Sequence, residues 1–301
     1  MSSGSAGHVG CTTRRPYSET PGKASGGTGG ARGRTFLRTA DGVRIDCRYE
    51  PARTPAPGSA GSAGGGPEDV PVFVVAHGFT GDVDRPHLRR VARALTRHGA
   101  VLTFSFRGHG ASGGRSTVGD REVLDLAAAV GRARELGHPR VVTVGFSMGG
   151  SVVLRHAALG SGAPGEDLTG SAGPDAVVSV SAPARWFYRG TAPMRRLHWL
   201  VTRPEGRLVG RYGLRTRIHH RGWDPVPLSP VQAVPRIAPT PLLIVHGDRD
   251  GYFPLDHPRM LAAAAGEQGE LWIEPGMGHA ENAASEELVH RIGDWAVARA
   301  G

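Results

Sequence analysis

The side chain with the clearest chemical potential is Ser147, which stands between two glycines at the end of an apolar run. Residues 141–144 are Val-Val-Thr-Val, the next five are Gly-Phe-Ser-Met-Gly, and residues 151–159 have the composition of a helix. A buried strand that turns sharply into a helix at Gly-x-Ser-x-Gly holds the serine in a strained conformation, with its hydroxyl exposed above the sheet. Gly145 and Gly149 suit this turn because larger side chains would collide with the serine and the helix. The pattern predicts a nucleophilic serine.

The pentapeptide by itself is a weak signal, because a chain with 46 glycines contains such patterns by chance. An ordinary tight turn would explain the bare motif around Ser147 equally well. The strand before it and the helix after it are what favour a catalytic interpretation.

The base and the acid that such a serine needs are both found downstream. A serine hydroxyl is a poor nucleophile unless a base takes its proton and a third group orients that base. His279 lies in the sequence Pro-Gly-Met-Gly-His-Ala, and Asp250 follows the apolar run 242–245. Asp248 competes with Asp250 for the acidic role, although it also suits a turn. The order Ser, Asp, His is the one expected for a triad built on a strand-to-helix turn.

The elements that must position these residues alternate between apolar strands and amphipathic helices. A hairpin is predicted around Asp41-Gly42. The remaining predicted strands cover residues 71–76, 101–106, 141–144, 176–180, 242–245 and 270–273, and the helices 86–98, 120–136, 151–159, 261–265 and 286–300. This alternation predicts an α/β protein with a mostly parallel, doubly wound sheet flanked by helices. In such sheets the site lies at the carboxyl ends of the strands.

The composition divides the chain into a tail and one domain. Residues 1–33 consist largely of Gly, Ser, Thr and Arg, so we expect a disordered tail. Residues 34–301 are expected to form one α/β domain, within which the Pro-, Ala-, Gly- and Ser-rich residues 51–69 form a flexible surface loop. Residues 183–236 show no clear periodicity and are predicted to be irregular.

Charge and cysteine content argue against several classes of protein. The net charge of +9 comes almost wholly from arginine, since Lys23 is the only lysine, and no basic run is interleaved with aromatic residues, so we expect no nucleic-acid partner. No apolar stretch reaches the roughly 20 residues of a membrane span, and the N-terminus lacks the apolar core of a signal peptide, so the predicted location is cytoplasmic. Cys11 and Cys47 are interpreted as free thiols in a reducing compartment, with neither a disulfide nor a metal site.

Five motifs in order resemble the α/β-hydrolases, close to the branch of serine aminopeptidase-like and lysophospholipase-like enzymes. The resemblance covers about residues 34–300 and depends on His-Gly-Phe at 77–79, Arg-Gly-His-Gly-Ala-Ser at 107–112, Gly-Phe-Ser-Met-Gly-Gly at 145–150, His-Gly-Asp-Arg-Asp at 246–250 and Gly-His at 278–279. It implies the α/β-hydrolase fold with a small cap insertion at about residues 183–236. It also implies no metal and no organic cofactor.

The same resemblance assigns roles to individual residues. Ser147 would be the nucleophile, His279 the base and Asp250 the acid, because the family's His-Gly-x-x-Asp spacing selects Asp250 over Asp248. The backbone N–H groups of Phe79 and Met148 would form the oxyanion hole. For His77 and His246 we expect structural roles: His77 as a support of the oxyanion loop rather than in acid–base chemistry, and His246 as an anchor of its loop.

Two features of the predicted cap leave alternatives open. Its aromatic residues, Trp186, Tyr188 and Trp199 among them, either line an acyl-binding pocket or only pack the cap onto the sheet. Its eight arginines between residues 195 and 221 either form a solvated face or favour an anionic substrate or a lipid surface.

Together these observations predict a serine hydrolase that cleaves a carboxylic ester through an acyl-enzyme intermediate. The predicted partner is a small-molecule ester or acyl substrate, with contact to a membrane surface as an open possibility. Amide, peptide or thioester hydrolysis and acyl transfer to an alcohol would use the same triad, so the sequence leaves them open. A non-catalytic binding protein of the same fold is the alternative from another class; a missing triad residue would indicate it, and none is missing. The oligomeric state is not predicted.

Overall fold

The computed structural model describes residues 33–53, 71–160 and 173–301. Eight strands follow one another along the chain: β1 (Gly33–Arg38), β2 (Arg44–Glu50), β3 (Val72–Ala76), β4 (Ala100–Phe104), β5 (Val141–Phe146), β6 (Ala176–Val180), β7 (Leu242–Gly247) and β8 (Gly269–Glu274). The helices are α1 (Pro86–Leu95), α2 (Glu122–Glu135), α3 (Met148–Gly160), α4 (Ala192–Thr202), α5 (Pro204–Gly213), α6 (Pro230–Ala233), α7 (Asp256–Ala265), α8 (Ala280–Ala283) and α9 (Glu286–Arg299). Two short 3₁₀ turns cover Val234–Arg236 and Gly266–Gln268.

All eight strands form one sheet in the order β1-β2-β4-β3-β5-β6-β7-β8. The six strands from β4 to β8 in this order run parallel, while β2 pairs antiparallel with both β1 and β4. The prediction of a mostly parallel, doubly wound sheet is therefore confirmed. The predicted hairpin is also present, with β1 and β2 on either side of Asp41-Gly42.

The sheet is covered on both faces, which is why its central strands are continuous apolar runs. Alternate residues of β3 enter different cores: Val74 packs in the core with α2, α3 and α7, whereas Val75 packs in the core with α1 and α9. Every residue of β3, β4, β5, β6 and β7 is buried. Parallel strands then bring their carboxyl ends to one edge of the sheet, where the loops after β3, β5, β7 and β8 meet.

The structure shifts several predicted boundaries. The first predicted helix, 86–98, ends at Leu95 because the chain tightens there: His98 N–H bonds the Leu95 carbonyl, and the Thr96 hydroxyl bonds the Arg93 carbonyl. Residues 183–236, predicted to be irregular, contain the helices α4 and α5. Arginines lie on several sides of both helices, so the apolar residues do not form a stripe that can be recognised from their spacing.

Parts of the predicted organisation fall on residues that the structure does not describe. The predicted tail, 1–33, lies outside the described residues except for Gly33, which begins β1. The predicted loop, 51–69, is described only for residues 51–53. No helix in the described part of the chain has both the length and the apolar character needed to cross a membrane.

Of the two cysteines, the structure describes Cys47 in β2. Its side chain is fully buried and forms no disulfide. Burial, and then the neighbouring Asp46, raise the pKa of its thiol to about 12. Cys47 is therefore a protonated core residue.

Candidate active site

Ser147 occupies a sharp turn between β5 and α3. Its φ of 52° lies in the left-handed region, which is unfavourable for a residue with a Cβ atom. Its N–H donates to the Val180 carbonyl of the neighbouring strand at 2.8 Å. The turn and this bond hold the serine at the carboxyl edge of the sheet.

The two glycines around Ser147 are required by close backbone contacts. A Cβ atom on Gly145 would lie 2.2 Å from the Gly149 carbonyl oxygen. A Cβ atom on Gly149 would lie 2.4 Å from the Ala76 carbonyl oxygen of β3. Neither position can hold a larger residue unless the backbone moves, and the contacts at Gly149 are with the end of the adjacent strand β3 and with His77 directly after it.

A continuous chain of hydrogen bonds joins the three residues that the sequence singled out. His279 Nε2 lies 2.9 Å from Ser147 Oγ, and His279 Nδ1 lies 2.8 Å from Asp250 Oδ2. Asp250 accepts only as a carboxylate, so Nδ1 carries the proton and Nε2 is free to accept the serine proton. Asp248 is exposed and instead accepts the Gly276 N–H. The structure thus brings Asp250, and not Asp248, to the histidine.

The Asp250 carboxylate is held from both sides. Its Oδ1 accepts the backbone N–H groups of Tyr252 at 2.8 Å and Phe253 at 3.1 Å, and its side chain is only 1% exposed. Burial alone would raise the pKa of Asp250, but the hydrogen bond and charge of His279 and these backbone donors outweigh burial and lower the pKa below its ordinary value. Asp250 is therefore ionised at neutral pH.

The imidazole of His279 is fixed by aromatic neighbours that the sequence analysis did not single out. Tyr252 stacks on it with ring centroids 4.2 Å apart, and Phe253 lies at 5.7 Å. Buried His246 donates from Nε2 to the Phe253 carbonyl, which closes the loop around Asp250. Burial lowers the pKa of His246, so it is neutral. The position of Tyr252 and Phe253 directly after Asp250 was the available signal for them.

The loop after β3 is held by hydrogen bonds of its histidine, His77. Buried His77 donates from Nδ1 to the Gly78 carbonyl and accepts the Phe106 N–H at Nε2. Burial, and then the nearby His109, lower the pKa of His77 to about 3, so it is a neutral structural group. Among the described residues, neither the Phe79 N–H nor the Met148 N–H finds a hydrogen-bond acceptor, and both residues border the cavity that contains Ser147.

An apolar cavity of about 240 Å³ opens beside Ser147. Trp186 and Tyr188, both singled out from the sequence, line it together with Trp223. Trp186 and Trp223 contact each other at 5.0 Å between centroids, and their N–H groups donate to the Pro227 and Thr117 carbonyls. These aromatic residues therefore both pack the 183–236 segment and line the cavity. Helix α4 contributes further apolar side chains, namely Met194, Leu197 and Val201.

A second groove of about 560 Å³ is lined by both Ser147 and His279. Trp199, the third aromatic residue singled out from the sequence, borders this groove and is 47% exposed. Tyr252, Glu281 and Arg196 also line it. The three predicted substrate-binding residues are thus divided between two spaces that meet at Ser147.

The arginines of the 183–236 segment have few acidic partners. Within the described residues, none of the eight between 195 and 221 forms an ion pair with an aspartate or glutamate; Arg195 and Arg207, for example, donate to backbone carbonyls. Of these eight, Arg221 borders the apolar cavity and Arg196 the second groove; Arg185 and Arg189, which precede them in the same segment, also border the cavity. Most of this charge therefore lies away from both spaces.

No group of three or more His, Cys, Asp or Glu side chains in the described ranges has a geometry that could hold a metal ion. The side chains hydrogen-bonded in a chain to Ser147 are those of His279 and Asp250, and Phe79 and Met148 line the cavity beside it. The arrangement can activate a serine hydroxyl and stabilise negative charge on an oxygen next to it.

Comparisons with known proteins agree with this architecture. The model of the Alpha/beta hydrolase family matches residues 73–291. The chain is 30% identical over 235 residues to a monoacylglycerol lipase of Mycolicibacterium smegmatis, an alignment that covers 69% of this chain and 80% of the lipase. An esterase of Pyrococcus furiosus superposes with a TM-score of 0.65 at 21% identity, over 90% of this chain and 94% of that one. A serine hydrolase of Xanthomonas campestris described as lacking a lid gives 0.57 at 20% identity, over 90% and 95%.

Proposed function

Because the chain belongs to the α/β-hydrolase family, we propose that it is a serine hydrolase that cleaves a carboxylic ester through an acyl-enzyme intermediate. The observation that carries the proposal is the unbroken hydrogen-bonded chain from Ser147 through His279 to Asp250, with 2.9 and 2.8 Å between the heavy atoms. These distances lie within the range needed for proton transfer between nucleophile and base.

The proposed reaction begins when Ser147 Oγ attacks the ester carbonyl and His279 Nε2 takes the serine proton. Asp250 stabilises the resulting imidazolium and keeps the proton on Nδ1. The imidazolium then protonates the leaving alcohol, and the acyl group remains on Ser147. Water, deprotonated by the same histidine, attacks the acyl-enzyme and releases the carboxylic acid.

The oxyanion of each tetrahedral intermediate would accept the Phe79 and Met148 N–H groups. Both are without an acceptor among the described residues, and both come from elements that the fold fixes, the loop after β3 and the start of α3. Loss of one such donor typically costs about 3 kcal/mol of transition-state stabilisation. Met148 N–H also benefits from the partial positive charge at the helix N-terminus.

The shape of the site supports an ester with an apolar acyl group. The cavity lined by Trp186, Tyr188 and Trp223 offers a mostly apolar space for the acyl chain, and the groove beside Tyr252 leaves room for the alcohol. The names of the relatives, a monoacylglycerol lipase and an esterase, favour an ester over an amide or a thioester. Acyl transfer to an alcohol would use the same residues and would differ only in the exclusion of water.

Helices α4 and α5 are proposed to form the cap over this site. They lie between β6 and β7, within the segment predicted as an insertion, and α4 contributes side chains to both spaces. The predicted cytoplasmic location and the predicted contact with a membrane surface both stay predictions.

The test of this proposal needs no knowledge of the substrate. Intact-protein mass is measured after incubation with a fluorophosphonate, for the wild type, Ser147→Ala and Ser151→Ala. Ser151 borders the same cavity, but its hydroxyl has no hydrogen-bond partner within residues 33–53, 71–160 and 173–301, so it is a matched serine without a base there. One adduct on the wild type and on Ser151→Ala, and none on Ser147→Ala, is expected. An adduct on Ser147→Ala, or none on the folded wild type, would contradict the proposal.

Substrate class is then resolved with p-nitrophenyl esters of increasing acyl length, matched p-nitroanilides and thioesters. We expect the highest kcat/KM for esters. A higher kcat/KM for the anilides or the thioesters would move the assignment to those bonds while the triad stands.

A further inference from the structure

Glu281 is a buried carboxylate that the reaction as described above does not use. It lies two residues after His279 in the short helix α8, and it is 8% exposed. Arg90 of α1 donates to its backbone carbonyl at 2.9 Å, which fixes its main chain. Burial of a carboxylate costs free energy unless hydrogen-bond donors or a positive charge compensate for the lost water.

That partner is the loop that carries a proposed oxyanion donor. Glu281 Oε1 accepts the Gly78 N–H at 2.9 Å, across 203 positions of sequence. The contact is close: a Cβ atom on Gly78 would lie 3.2 Å from each oxygen of the carboxylate and 3.4 Å from Ser147 Cβ. Glu281 therefore packs against Gly78 on the side where Gly78 faces the serine.

The peptide on the other side of Gly78 is fixed as well. Its carbonyl accepts His77 Nδ1 at 2.6 Å and the Gly81 N–H at 3.0 Å. In a trans peptide the C=O and the next N–H point in opposite directions, so these bonds aim the Phe79 N–H away from His77. Glu281 fixes the peptide before Gly78, and His77 fixes the peptide after it.

We propose that Glu281 is a positioning residue for the ester hydrolysis proposed above: its carboxylate holds the Gly78 N–H so that the Phe79 N–H points at the oxyanion. The same residue ties the loop of His279 to the loop of Phe79, because only Ala280 separates it from the base. Ala280 has a left-handed φ of 55°, and its N–H donates to Ser181 Oγ, so the turn between the two side chains is itself fixed. This inference rests on the proposed function.

The inference predicts a loss in kcat rather than in KM. Charge on the oxyanion is larger in the transition state than in the bound ester, so a misaligned donor weakens mainly the transition state. Removal of a whole donor costs roughly 10²–10³-fold in kcat, and release of its support is expected to cost at least about tenfold.

The experiment compares Glu281→Ala, Glu281→Gln and Glu281→Asp in steady-state hydrolysis of one p-nitrophenyl ester, with thermal unfolding as the check on folding. Glutamine keeps an oxygen at the position that accepts the Gly78 N–H, whereas aspartate keeps the charge but is one methylene too short. We expect kcat of the alanine and aspartate variants to fall at least about tenfold with KM within about twofold, and glutamine to recover most of kcat. Glu287→Ala, which removes an exposed carboxylate without an ion-pair partner among the described residues, should match the wild type.

Several results would overturn the inference. These are a kcat of Glu281→Ala within twofold of the wild type, a loss confined to KM, or a glutamine variant no better than alanine. If Glu281→Ala does not fold, the comparison of the other two variants is the test: a kcat of Glu281→Gln no higher than that of Glu281→Asp would overturn the inference. A wild type without turnover that depends on Ser147 would overturn the proposed function itself, which is a separate outcome.

Discussion

Replacement of Asp250 by asparagine tests how the proposed base is oriented. The substitution keeps the size of the side chain and changes only what it can donate and accept. The backbone N–H groups of Tyr252 and Phe253 both point at Oδ1, so they require the amide oxygen there. The NH₂ group then takes the place of Oδ2, 2.8 Å from His279 Nδ1. His279 must accept at Nδ1 and carry its proton on Nε2, where it can no longer receive the proton of Ser147.

The size of the effect follows from the alternative orientation. Only a flipped asparagine, with its oxygen towards His279, restores the active tautomer, and the flip turns its NH₂ group towards the partly buried N–H of Phe253 and the exposed N–H of Tyr252. Water can bond the exposed N–H, so the cost comes mainly from Phe253 and disfavours the flipped form by about 1–3 kcal/mol. The expected loss in kcat therefore lies between about 5-fold and 150-fold.

The assay is steady-state hydrolysis of a p-nitrophenyl ester, with Asp248→Asn as the matched control from the same loop. Asp248 accepts one N–H, from Gly276, and does not contact His279, so its variant should keep kcat within about twofold. Thermal unfolding of both variants shows that they are folded. An Asp250→Asn variant within threefold of the wild type, or a larger loss for Asp248→Asn, would refute the reasoning.

Three further predictions concern stability, pH and charge. Gly145→Ala should lower the free energy of unfolding by about 1–3 kcal/mol or more, because its Cβ atom clashes with the backbone. Gly131→Ala in helix α2, where a Cβ atom meets nothing within 4 Å, should raise it by about 0.5–1 kcal/mol. Urea titrations measure both, and equal stabilities of the two variants would contradict the prediction. Burial lowers the pKa of His109 to about 4. The contribution of this neutral histidine to the free energy of unfolding is therefore complete above its unfolded pKa of about 6.5 and is lost as the pH falls towards 4, so His109→Gln should reduce the slope of stability against pH by about 1.4 kcal/mol per pH unit. An unchanged slope between pH 6.5 and 4.5 would contradict this. Arg196→Gln should lower kcat/KM up to about fivefold for an ester with an anionic alcohol group and leave a neutral ester unaffected, and equal changes for the two esters would exclude a role for this charge.

The sequence predicted the sheet and the nucleophile turn because both depend on local patterns. Continuous apolar strands indicate burial on both faces, and Gly145 and Gly149 indicate backbone contacts that the structure shows at 2.2 and 2.4 Å. Helices α4 and α5 were not predicted, because arginines on several sides of each helix obscure the apolar stripe that would reveal it. Local patterning therefore identified the sheet better than the segment above it.

The site residues also differ in how far local sequence patterns could identify them. The His-Gly-x-x-Asp spacing selected Asp250 over Asp248, whereas the two backbone donors that hold the Asp250 carboxylate form only when the loop after β7 turns. Glu281 could not be identified at all, since its partner Gly78 lies 203 residues away and neither residue belongs to a local motif that connects them. Contacts of this kind require the strand order, which periodicity does not provide.

The distribution of the site over the sheet also has a consequence for how the molecule folds. Ser147 and His279 are 132 residues apart, and they come together only when β6, β7 and β8 have added to β5 in sequence. Long-range contacts of this type form late because loop closure costs entropy before the contacts repay it. During refolding, secondary structure should therefore return before reactivity with a fluorophosphonate does. Labelling of Ser147 would then count only molecules in which β5 to β8 have assembled, and would report on the formation of this half of the sheet.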